Sequence, residues 1–267
     1  MIANSRTEED GVLVTRMAKK FMREVKSPRD AVDFCTRILV PVDPHVRQCH
    51  SWVWGKLPRL ELTEIIPGTE TASVTILEAF NRVLGRNLEI EELADLLAIA
   101  KCTGAKRILE VGTFDGTTTL NLAANTAADA LVVTLDLPPD WDGELSLPTP
   151  KEFRNATAKR DVGRRFRDTP YEPKIRQVYG DSAKLDWSTL PGPFDLIFVD
   201  ACHHYNYVLS DTQNALKYAH AQKGLIIWHD YGYVKDVSDV VDETSAKIKV
   251  QAIAGTRMAV GFVGTKP

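Results

Sequence analysis

The stretch Arg107-Ile-Leu-Glu-Val-Gly-Thr-Phe-Asp-Gly116 constrains this chain more than any other part of it. A short apolar run (Ile108, Leu109, Val111) ends in Gly112-Thr113-Phe114-Asp115-Gly116, and a helix-compatible segment follows from Thr117 to Asn125. That order reads as strand, tight glycine turn, helix. The two glycines allow backbone conformations closed to other residues and let a ligand approach the main chain. A helix that starts there presents unpaired N–H groups and a positive dipole end to whatever binds. Glu110, at the carboxyl end of the strand, stands where open α/β sheets place ligands.

About twenty residues beyond Gly116, the buried-strand run Leu131-Val-Val-Thr-Leu135 ends in Asp136, with Leu137 next to it. An acid at the tip of the second strand of a βαβ unit can accept hydrogen bonds from ribose hydroxyls. A dinucleotide fingerprint would need three glycines as G-x-G-x-x-G to cradle a pyrophosphate. Here the pattern is Glu110-x-Gly112-x-x-x-Gly116, with Phe114 inside it. An acid aimed into the turn would repel pyrophosphate and suits a cationic or zwitterionic ligand.

These motifs resemble those of the class I S-adenosylmethionine-dependent methyltransferases. The resemblance implies that Glu110, Gly112, Thr113, Phe114, Asp115 and Gly116 surround the methionine moiety, that Asp136 and Leu137 lie at the ribose, and that Asp200 also borders the cofactor. A later acid marks the adenine in that family; Asp181, with Ser182 beside it, closes the strand-like run from Ile175 and takes that role by position. The implied fold is α/β: a Rossmann-like, mostly parallel sheet of seven strands whose last pair is a hairpin with one antiparallel strand, preceded by a mainly helical N-terminal extension.

The chain's 267 residues, 44% apolar, suffice for one large core or a core with a subdomain. A net charge of −3 argues against nucleic-acid binding through phosphate neutralisation. Four scattered cysteines without a C-x-x-C pair suggest neither a disulfide framework nor zinc, and favour a reducing, cytoplasmic setting. No signal peptide or transmembrane run is visible, so a membrane role is not expected.

Residues 1–70 are read as a helical and irregular cover segment. Val12, Leu13, Met17, Phe21 and Met22 recur at helical spacing, and Pro41 to Glu70 reads as irregular, with Trp52 and Trp54 as packing residues or an aromatic lip. Residues 71–267 are assigned to the cofactor-binding domain. A helical pattern from Thr71 to Thr103, strongest over Glu89 to Lys101, precedes the alternating strands and helices. The connection from Leu137 to Pro173 is long enough to be functional. Its segment Lys151 to Arg167 reads as a basic helix or lid.

The central strand through Phe194 to Val199 ends in Asp200-Ala-Cys-His203-His204-Tyr205, and Gly224 to Trp228 ends in His229-Asp230-Tyr231. Adjacent strands would bring Asp200, His203, His204, His229 and Asp230 to one crevice, including three of the six histidines. Methyl transfer to a hydroxyl needs in-line positioning and a base, and histidine titrates near neutrality. Asp200-x-x-His203 with His229-Asp230 resembles the metal-assisted small-molecule O-methyltransferases, especially those acting on sugar hydroxyls of macrolides and related glycosides. The resemblance implies His203 as base and Asp200 and Asp230, with His229 between them in sequence, around a divalent ion such as Mg2+; a metal-free mechanism with His203 or His204 as base beside Asp200 is the alternative. The chain departs from that pattern at His229, where a carboxylate or amide is usual, and magnesium prefers oxygen ligands.

The expected activity is therefore transfer of a methyl group from S-adenosylmethionine to a hydroxyl of a small-molecule acceptor, with homo-oligomerisation left open. N- or protein methylation by the same fold, a nicotinamide-dependent oxidoreductase and a non-catalytic cofactor-fold protein remain as alternatives.

Overall fold

The computed structural model describes residues 54–264 apart from 82, 84–86, 140, 142 and 150–160. The expected helix around Met17, Trp52 and most of the segment Lys151 to Arg167 lie outside the described residues. From Trp54 onward the chain forms one compact unit.

Eight strands make one sheet: β1 (Arg59–Leu60), β2 (Arg107–Val111), β3 (Leu131–Asp136), β4 (Ile175–Tyr179), β5 (Leu196–Val199), β6 (Leu225–Trp228), β7 (Lys249–Ile253) and β8 (Ala259–Phe262). Their order is β1-β7-β8-β6-β5-β2-β3-β4. The block β4-β3-β2-β5-β6 is parallel, and β8 runs antiparallel to both β6 and β7. The seven expected strands and the closing hairpin are all present. The additional strand, β1, pairs parallel with β7 through two residues. A two-residue strand has no alternation to detect, so this part of the stretch expected to be irregular could not be read as sheet.

Helices α1 (Leu62–Ile65), α2 (Ile90–Cys102), α3 (Thr117–Asn125), α4 (Tyr205–Tyr218) and α5 (Lys235–Ser245) complete the fold. The helical expectation for 71–103 is met by α2 from Ile90; the described residues between 72 and 89 form turns and bends without helix. Helix α2 starts at a capping box in which Glu89 and Glu92 reciprocally bind backbone N–H groups. Its stripe Leu93, Leu96, Leu97 and Ile99 is fully buried. Each such side chain contributes about 2 kcal/mol of transfer free energy.

The alternation of the strands divides the core in two. Ile108, Val132, Leu196, Phe198 and Ile227 face α2 and α3, whereas Leu109, Val133, Ile197, Val199 and Ile226 pack in the cluster with α4 and α5. Burial on both faces explains why these strands read as continuous apolar runs. The parallel strands all end on the same edge. After β2 the chain builds outward to β4, then returns to place β5 on the other side of β2, and the crevice opens at this switch point.

Candidate active site

Gly112 follows β2 at the switch point. Its φ is +109°, and a Cβ there would lie 2.1 Å from the carbonyl oxygen of Asp200, which follows β5. Only glycine lets these two strand tips meet so closely. Gly116 donates its N–H to the carbonyl of Thr113 at 2.9 Å and opens α3. Between them Phe114 takes a left-handed conformation, φ 47°. Its N–H donates to Asp136 Oδ2 at 2.9 Å, and its carbonyl accepts from Gly163 at 3.0 Å.

Two clefts meet at this turn. The first, with about 760 Å³ of open space, is lined by Gly112 and Phe114, by Asp136 and Leu137 after β3, by Asp181 and Ser182 after β4, and by Asp200 and Cys202 after β5. Leu145 and Tyr207 also line it. Among the described residues it is lined by three aspartates and by no lysine, arginine or histidine. The second, with about 850 Å³, is lined by Asn87, Leu88, Thr113, Thr118, His203, His229, Asp230 and Arg257. Gly112, Phe114, Asp200 and Ala201 border both.

Of the residues expected around the cofactor, Gly112, Phe114, Asp136, Leu137, Asp181, Ser182 and Asp200 all come together in the first cleft. Asp136 accepts backbone N–H groups from Phe114 and Leu137. Asp181 is an organiser as well as a wall: it accepts from Ser146 N at 2.7 Å, Ala183 N at 3.0 Å and the Tyr207 hydroxyl at 2.8 Å. Burial works against its charge, but these hydrogen bonds outweigh it and hold the carboxyl below its usual range.

Four expected contacts do not line this cleft: Glu110, Thr113, Asp115 and Gly116. Glu110 faces neither cleft: it is 1% exposed beneath the turn, where the hydroxyls of Thr119 and Thr134 donate to Oε2. Burial pushes its carboxyl up to about 8. Strand alternation turns it inward from the tip toward α3. Asp115 also points away, accepting from the Thr117 N–H and hydroxyl, from Asn87 Nδ2 and from Arg165 Nε. It accepts the first N–H of α3 and fastens two neighbouring segments to the turn. Thr113 binds Thr134 through their hydroxyls at 2.6 Å and borders only the second cleft.

The tips of β5 and β6 are adjacent, as the sequential arrangement required. His203 Nε2 is 3.4 Å from Asp200 Oδ1 and 3.3 Å from Asp230 Oδ2, with a third of its side chain exposed to the second cleft. Burial lowers its proton affinity, but Asp200 and Asp230 more than offset this and raise its pKa above 6.5. His204 lies in neither cleft lining; it is the N-cap of α4, its carbonyl accepting from Tyr207 and Val208. His229 lines the second cleft between Asp200 and Glu92. Its Nδ1 is 3.2 Å from Asp200 Oδ1 and its Nε2 3.1 Å from Glu92 Oε2. The donor atoms that do lie within 4.8 Å of one another belong to Asp200, His203 and Asp230.

Sequence reasoning missed Glu92 and Arg257. Glu92 is 3% exposed on α2 and receives Arg257 Nε at 2.9 Å and Nη2 at 2.7 Å, while Arg257 Nη1 donates to Asp230 at 3.2 Å. Glu92 also looks like an ordinary capping-box residue, and Arg257 sits in the turn of the final hairpin. Neither position carries a local signal of burial beside β6.

The long connection after β3 supplies Leu145 to the first cleft, and its part from 161 to 167 forms turns rather than helix. Arg165 there donates to Asp115 and to Glu78, pinning both flanking segments to the glycine turn. Among the described residues no helix is long and apolar enough to cross a membrane.

Residues 109–231 match the family model described as a methyltransferase domain. The chain is similar in fold to a provisionally assigned O-methyltransferase from Klebsiella pneumoniae, at 19% identity over 87% of this chain and 96% of that one, TM-score 0.50. It is equally similar to cofactor-bound Rv0187 from MTB, at 17% identity over 90% and 99%, TM-score 0.50. At these identities the likeness is one of fold. No curated protein matches the sequence.

Proposed function

We propose, on the premise that residues 109–231 form a class I S-adenosylmethionine-dependent methyltransferase domain, that the chain methylates a hydroxyl oxygen of a small molecule. The observation that carries this reading is the meeting of two unlike clefts at Gly112 and Asp200. One is acidic and, among the described residues, lined by no basic side chain, which suits a sulfonium nucleoside and disfavours a dinucleotide pyrophosphate. The other holds a histidine between two carboxylates, within reach of the shared border.

S-adenosylmethionine, when bound, supplies a methyl group already activated on sulfur. The chain's own residues do the rest. Asp136, which accepts the backbone N–H groups of Phe114 and Leu137, presents its carboxylate at the tip of β3 to the ribose hydroxyls. Asp181, fixed by Ser146, Ala183 and Tyr207, presents a rigid polar edge at the adenine end, with Leu137 and Leu145 as apolar walls. Gly112 and Phe114 border the path between the clefts and keep the reacting groups in line, which can supply much of the rate.

His203 is the base. Asp200 and Asp230 hold its Nε2 side, so in the neutral ring with Nε2 protonated the lone pair lies on Nδ1 and takes the acceptor's proton. Transfer of label from S-adenosyl-[methyl-14C]methionine to a panel of hydroxylated small molecules tests the assignment. Labelled ether product supports it; label appearing only on amines or on protein would replace it.

A further inference from the structure

Tyr207 and Asp211 stand four residues apart on α4 and so share a face of the helix. The Tyr207 hydroxyl donates to Asp181 at 2.8 Å, so this face meets the segment that follows β4. Asp211 is fully buried there, and neither of its carboxylate oxygens has a hydrogen-bond partner among the described residues. Leaving a buried carboxyl unpaired costs stability that none of its contacts in the fold returns.

The surroundings of Asp211 lead to the first cleft. Burial pushes its carboxyl up to about 7, while the Ser182 hydroxyl beside it pulls the other way and the Asp181 charge adds to the rise. Ser182 is the link, because it also lines the first cleft with Asp181, Cys202 and Tyr207. The Asp181 carboxylate is largely committed: Oδ2 accepts the Ser146 N–H and the Tyr207 hydroxyl, and Oδ1 accepts the Ala183 N–H. A serine hydroxyl both donates and accepts, so what it offers the cleft depends on what it meets behind it.

We propose that Asp211 selects the base of the cofactor through Ser182: its carboxylate accepts the Ser182 O–H, leaving Oγ lone pairs toward the cleft. The group that satisfies Oγ is then an exocyclic amino donor, as in adenine. In the order amino group, Ser182, Asp211, every donor faces an acceptor, and the last bond is strengthened by charge. The carbonyl oxygen of hypoxanthine in the same place meets lone pairs and loses the bond. Asp211 is a positioning residue that acts through Ser182 and touches no ligand itself. The inference rests on the methyl-transfer reading, with the adenine at Asp181 and Ser182.

The test compares S-adenosylhomocysteine with S-inosylhomocysteine, titrated calorimetrically into the full chain at pH 8. The wild type is expected to favour the adenosyl ligand ~10-fold or more, and Asp211→Ala to lose most of that preference. Ser182→Ala is expected to lose it as well, with nothing further lost in the double variant. A merely structural role would weaken both ligands alike, and an unchanged ratio in Asp211→Ala overturns the inference. Additive losses from the two substitutions, or no preference in the wild type, overturn it too. If Asp211→Ala fails to fold, Asp211→Leu takes its place with the same expectation, since its branched side chain keeps the shape without the acceptors. Absence of heat with both ligands strikes the methyl-transfer reading instead, whereas intact binding with an unchanged ratio strikes only the role of Asp211.

Discussion

Asp230 Oδ2 lies 3.3 Å from His203 Nε2, joining the tip of β6 to the segment that follows β5. The contact ties the proposed base to a carboxylate that the sequence placed on a different strand. It also sets the pH at which that base becomes available.

Because Asp200 and Asp230 favour the protonated ring, His203 loses its proton above the ordinary histidine pKa of 6.5. The general base is the neutral form, so kcat is expected to rise with pH through an apparent pKa above 6.5. Asp230→Asn is expected to move that limb to lower pH. His203→Ala is expected to slow transfer by ~10²-fold or more with cofactor affinity retained. Steady-state pH profiles check both, and wild-type turnover in His203→Ala would remove it as base.

Glu110 offers a stability test. Its folded pKa, raised to about 8 by burial, lies above its unfolded value, so the stabilisation is complete below the unfolded pKa and is lost as pH rises toward the folded one. Glu110→Gln removes this titration. The variant is expected to gain on the wild type by on the order of 1 kcal/mol or more near pH 8, with no such gain near pH 4. Urea denaturation at the two pH values reads the difference, and a gap that narrows with rising pH would reject the buried neutral acid.

Arg165 fastens the turn to two segments, with 8% of its side chain exposed against 6% for Asp115. Removing one partner of such a buried pair leaves an uncompensated charge, typically at a cost of about 3 to 5 kcal/mol. Arg165→Leu is therefore expected to lower the denaturation midpoint and to weaken cofactor binding together. A variant as stable as the wild type would show the pair to be dispensable.

The strand order, the closing hairpin and most residues that line the first cleft were legible because each left a local mark. Apolar runs gave the parallel strands, and the glycine spacing with Asp136 gave the turn and the second tip. What stayed hidden depends on contacts across the fold. Glu110 and Asp115 sit inside the motif, yet strand alternation and helix capping turn them away from the cleft. His204 is adjacent to His203 but serves the start of α4. Glu92 reaches His229 across 137 positions of sequence, a distance no motif spans.

Isothermal titration of S-adenosylhomocysteine into the wild-type chain and into Asp136→Ala addresses the central claim most directly. The expected result is one site per chain, weakened by ~1–3 kcal/mol when the Asp136 carboxylate, proposed to hold the ribose, is removed. No heat with the wild type, or equal affinity in both proteins, would contradict a nucleoside lying across the tips of β2 and β3.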